Sequence, residues 1–135
     1  MRGSQTRRCV TRGLACLLGA AAVAGCGAAL PRDYHQLDAL YVIDHNGGNP
    51  KADSALDPYA RSFQKVLAAC RTNPDDLTNE TIALAEKASD VGGRLVTNLA
   101  MLRAIARRIT WPLSVPHGCG YIYDLAEAHM EAGGP

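Results

Sequence analysis

The sequence predicts an all-α fold, a small antiparallel bundle of about five helices that follows a cleaved signal peptide. Three observations predict it. Apolar residues recur at spacings of three and four through most of residues 32–132, and no run alternates with period two long enough to make a strand. Proline, glycine and capping residues cut that stretch into segments of helical length. At 135 residues and 47% hydrophobic, the chain has room for one small core and not for two.

The helices follow in order. Residues 32–45 place Tyr34, Leu37 and Tyr41 on one stripe with Leu40 beside it, and Gly47-Gly48-Asn49-Pro50 ends the segment. Leu40 to Ile43 is apolar but too brief to compete as a strand. Asp57-Pro58 reads as an N-cap followed by proline at the first helical position, so a helix is expected over 58–71. Its face carries Tyr59, Phe63, Val66, Leu67 and Cys70. Asn73-Pro74-Asp75-Asp76 repeats the start signal, with two acids where the helix dipole favours them. Leu77, Leu84, Ala88 and Val91 form the next stripe, with Thr81 between, and Gly92-Gly93 stops it. Thr97 caps a helix over 98–110 with Leu99, Leu102, Ile105, Ala106 and Ile109 inward. A loop with two prolines precedes the last helix, 119–132, where Cys119, Ile122, Leu125, Ala126 and His129 share a face before Gly133-Gly134.

The first 25 residues have a different character. Arg2, Arg7, Arg8 and Arg12 stand before any acid, and residues 14–24 are uncharged and apolar. A basic segment, a short apolar stretch and a small-residue site read as an export signal, and the stretch is marginal for spanning a bilayer. The site, Val23-Ala24-Gly25-Cys26, resembles the lipobox of bacterial lipoproteins. The resemblance covers the first 26 residues and implies that Cys26 receives lipid and becomes the mature N-terminus. It assigns 1–25 to the signal peptide and Cys26 to lipid; Gly27 to Pro31 reads as a short tether, so that 26–31 is lipidated cysteine and tether, and the helical pattern makes 32–135 one domain. The implied location is the cell membrane, lipid-anchored on its extracytoplasmic face, because two acyl chains hold a small protein stably where one does not. The competing readings are an ordinary secretory signal that leaves Cys26 free, and an uncleaved anchor. Thr6-Arg7-Arg8-Cys9-Val10 also looks like a twin-arginine export signal, which leaves the export route open.

Of five cysteines, Cys9 and Cys16 leave with the signal and Cys26 is spent on lipid. Cys70 and Cys119 remain, and in an exported domain they are expected to form one disulfide. A reactive thiol pair is the alternative, but no Cys-x-x-Cys is present to lower a thiol's pKa.

After processing, ten basic residues face thirteen acidic ones. A mildly acidic body with scattered charge does not suit nucleic acid. Neither a nucleophile elbow nor a phosphate-cradling glycine loop is visible, and no cofactor is expected. His35 with Asp38, and Asp44-His45, suggest a metal site, but such a site needs three or four converging ligands that only folding could gather. Asp44 to Lys51 resembles a calcium loop in its alternating oxygens, yet has Asn49 where the turn glycine belongs and Ala55 where a bidentate glutamate closes the loop. Glu127, His129 and Glu131 diverge on a helix. His117 lies near Cys119, which the disulfide claims. Arg94, Arg103, Arg107 and Arg108 form the one basic cluster of the body, read either as a solvated face countering Glu80, Glu86 and Asp90 or as a surface for anionic headgroups or an acidic partner.

The expected function is therefore a binding or accessory module at the cell envelope, held beside a protein partner by its anchor and not an enzyme. The alternative is a small extracytoplasmic enzyme or metal-binding protein using His35, Asp38, Asp44, His117 or His129.

Overall fold

The computed structural model describes residues 35–110, 112–115 and 117–135. The segments expected to be signal peptide and tether, with Cys26 as the expected lipid-attachment residue, lie outside the described residues, as does Tyr34 of the first predicted stripe. Among the described residues there are five α-helices and no strand: α1 (His35–Asp44), α2 (Asp57–Cys70), α3 (Pro74–Gly92), α4 (Asn98–Arg107) and α5 (Cys119–Glu131). No helix among them is long and apolar enough to cross a membrane.

Helix ends follow local chemistry. Asn73 accepts the Asp76 amide at 2.8 Å and Thr97 accepts the Ala100 amide at 3.2 Å, so both predicted N-caps work through their side chains. The start of α2 differs from expectation. A 3₁₀ turn, Asp53–Leu56, runs directly into the helix, Asp57 is already helical and Leu56 is the N-cap, with no side-chain cap bond. The calcium-like stretch is a helix stop. Gly47 N–H donates to the Val42 carbonyl at 2.8 Å and Asn46 N–H to the Ile43 carbonyl at 3.3 Å, with Asn46 in the left-handed region at φ 51°. That pair of bonds is a Schellman motif, which asparagine tolerates at its C′ position.

The core forms where the predicted stripes meet. Leu37, Leu40, Phe63, Val66, Leu77, Leu102 and Ile105 are fully buried. Helix α4 packs against all four of the others, so it is buried around most of its circumference: Met101 and Ala104 are inside as well as the predicted stripe. Helix α3 lies along α5, and at their crossing Gly92 meets the backbone of Glu131; a Cβ there would stand 3.1 Å from the Glu131 carbonyl oxygen. Two residues expected inward are outside, Val91 at 65% exposure and Leu125 at 39%. Glu127 is buried and paired with Lys87 of α3. The partner raises the Lys87 pKa through a hydrogen bond and its charge.

Cys70 at the end of α2 and Cys119 at the start of α5 stand at disulfide distance, with Cα atoms 5.7 Å apart.

Candidate functional site

A partly enclosed concavity lies where the end of α1, the second half of α3 and the entry to α4 meet. Asp44 builds its inner wall. One carboxylate oxygen accepts the Asn98 amide at 2.7 Å, and the other accepts the Leu99 amide at 2.9 Å and the Tyr59 hydroxyl at 2.8 Å. These amides open α4, where helical geometry leaves them without an internal partner. Asp44 thus caps a helix more than fifty residues away, beside the local cap Thr97, and places a negative charge at the positive end of the α4 dipole. Tyr59 is buried beneath it; that burial, then the bond to Asp44, pushes its pKa well above the usual tyrosine value.

The outer wall is the connection from α3 to α4. Gly93, at φ 65°, turns the chain out of α3. Arg94 then binds the Met130 carbonyl at 2.9 Å and the Gly134 carbonyl at 2.7 Å, which pins the connection to the end of α5. Two residues on, Val96 is buried and its amide donates to the Ser89 hydroxyl at 2.9 Å. Leu95 stands between these fixed points and is 83% exposed.

The cleft enclosed this way has a volume of about 370 Å³. Ile82, Ala85 and Val96 supply an apolar lining, and Leu95 and the half-exposed Ile43 flank the mouth. Glu86 and Asp90, one turn apart on α3, stand on the rim, and no lysine or arginine lines the cleft. The arrangement suits an apolar side chain accompanied by a positive charge.

The structure does not bring the sequence-predicted ligating residues together. His35 and Asp38 are exposed on α1, and both oxygens of Asp44 are committed to α4 and Tyr59. His45 turns away from Asp44 to stack on Tyr41, with ring centroids 3.8 Å apart. His117 lies edge-on to Tyr121, and His129 is covered by Gly134. Among the described residues no three His, Cys, Asp or Glu side chains are grouped to hold a metal ion.

The basic cluster is rearranged too. Arg94 serves the end of α5, and Arg108 bonds the Ala104 carbonyl of its own helix at 2.8 Å. Arg103 and Arg107 face Arg61 and Lys65 of α2 across a shallow groove, and Arg107 also donates to the Pro135 oxygen at 3.1 Å. Reading α4 alone missed the α2 half of this group; the i,i+4 spacing of Arg61 and Lys65 was its one sequence signal.

Against known proteins, the chain matches no family model, no curated protein and no solved structure.

Proposed function

We propose that the chain is an exported lipoprotein, anchored through Cys26 at the extracytoplasmic face of the cell membrane, whose helical domain is a binding module for an envelope protein. The cleft between α1, α3 and the α3–α4 connection receives a partner segment that presents an apolar side chain next to a lysine or arginine. The observation that carries this reading is Leu95, exposed at the mouth although the backbone on either side of it is fixed by Arg94 and Val96. Covering Leu95 and Ile43 with a partner's apolar surface removes that area from water, which is favourable. Glu86 and Asp90 supply charge complementarity, which steers encounter and fixes register. The anchor is supported by the order and spacing of the basic segment, the apolar stretch and Val23-Ala24-Gly25-Cys26.

A photoreactive residue at position 95 of the full chain, activated in intact membranes, is expected to give a discrete protein adduct that disappears in the Glu86→Lys/Asp90→Lys variant. An adduct indifferent to that charge reversal, or none, overturns the cleft as the binding site. Fractionation tests the anchor separately: Cys26→Ala is expected to leave the membrane fraction, and its retention there contradicts lipidation.

A further inference from the structure

We propose that the groove between α2 and α4 receives anionic phospholipid headgroups of the membrane that carries the chain, an inference that rests on the anchor at Cys26. Arg61 and Lys65 line one side, Arg103 and Arg107 the other, with Ser62 and Ala106 between, around a volume of about 330 Å³. Each pair is spaced i,i+4, so each helix stacks two cations on one face, a like-charge arrangement that is destabilising by itself. None of the lining residues is a carboxylate, and of the four cations Arg107 also donates through Nη1 to the Pro135 oxygen at 3.1 Å. An anion entering the groove relieves this repulsion. Phosphodiester oxygens fit the donor set best, because guanidinium forks bind them bidentately while lysine supplies a point charge.

Charge distribution and chain length argue for the membrane as the source. The processed chain has more acidic than basic residues, so an anionic surface repels the body as a whole and attracts this face. Eight residues lie between Cys26 and His35, so the nine Cα steps reach at most ~30 Å fully extended. Attraction by anionic headgroups decays within about 8 Å at physiological salt, a distance the short tether lets the domain enter. The groove would then orient the domain on the bilayer, leaving the acidic cleft at the other end of α4 to meet its partner.

The test is lysine footprinting of the full chain in vesicles of zwitterionic phosphatidylcholine, with or without anionic phosphatidylglycerol, combined with flotation. Lys65 lies in the groove, whereas Lys51 and Lys87 lie outside it and serve as internal references. Acetylation of Lys65 is expected to slow about fivefold or more when phosphatidylglycerol is present, the effect of roughly one cation–surface contact, with Lys51 and Lys87 unchanged. In 1 M salt, or in Arg103→Gln/Arg107→Gln, the protection is expected to vanish. Flotation on both vesicle types with equal Lys65 rates overturns the groove and keeps the anchor. Flotation on anionic vesicles alone, with Lys65 protected, keeps the groove and overturns the anchor; flotation on neither overturns both. Inorganic phosphate in lipid-free solution is expected to leave Lys65 unprotected, and protection equal to that on vesicles overturns the membrane assignment.

Discussion

Two ties join distant parts of this chain over nearly the same sequence span, and they work by different physics. Cys70 and Cys119 are 49 residues apart and link the end of α2 to the start of α5. Asp44 reaches 54 residues to Asn98 and 55 to Leu99, and links the end of α1 to the start of α4. A disulfide at the first position acts chiefly on the unfolded chain, whose freedom it restricts. The carboxylate tie exists only in the folded state, and it orients the helix that touches all the others. A covalent tie therefore sets how much disorder folding must overcome, whereas Asp44 sets where α4 goes and, with it, the wall of the cleft.

Breaking the first tie has the largest expected effect. Cys70→Ala/Cys119→Ala is expected to lose on the order of 4 kcal/mol of stability by the chain-entropy relation for a loop of this length. Urea unfolding checks this, and reductant should bring the wild type to the same midpoint. A wild type unaffected by reductant would show that the two sulfurs are not bridged in solution.

Breaking the second tie costs less in total and more in local order. Asp44→Ala leaves the Asn98 and Leu99 amides without their acceptor and the Tyr59 hydroxyl without its own, an expected loss of about 2 kcal/mol. The two ties also separate by hydrogen exchange: Asp44→Ala should speed exchange selectively at residues 98–100, while the cysteine variant should speed it throughout. A uniform change in Asp44→Ala would mean that its carboxylate does not hold α4.

Legibility in the sequence divides along the same line. Cysteines announce a tie by residue type, and with Cys9, Cys16 and Cys26 assigned to the expected export signal, Cys70 and Cys119 are the two thiols expected to pair. Asn73, Thr97 and the glycine pairs are legible because each acts within about four residues of itself. Asp44 carries no such mark, since its partners are backbone amides that any sequence would offer. Val91 was misplaced because a stripe taken at seven-residue steps drifts ~20° per heptad around a straight helix, which turns its end away from the core. Leu125 faces outward because Ile122, Ala126 and Met130 define the buried row of α5, and Leu125 sits about 100° from the middle of that row at 100° per residue. The cleft and the basic groove both arise where helices from separate parts of the chain pack, so neither is written in any one segment.

The smallest expected effect isolates one bond of the Asp44 tie. Tyr59→Phe removes the hydroxyl that donates to Asp44 at 2.8 Å and leaves the amides of Asn98 and Leu99 in place, so the expected loss at neutral pH is about 1 kcal/mol. Its pH dependence is the sharper signature. Burial, then Asp44, raises the Tyr59 pKa above its value in the unfolded chain, about 10. Below about pH 10 the native and unfolded states both hold that proton, and the contribution of Tyr59 is fully present. Above it the unfolded chain releases the proton while the native state keeps it, so stability falls with a limiting slope of about 1.4 kcal/mol per pH unit. Tyr123, raised in the same direction by burial and then by Glu80, adds to the wild-type slope and persists in the variant. Urea midpoints between pH 9 and about pH 11 should therefore fall less steeply in Tyr59→Phe than in the wild type. Equal slopes would place the Tyr59 hydroxyl in water and detach it from the joint between α1 and α4.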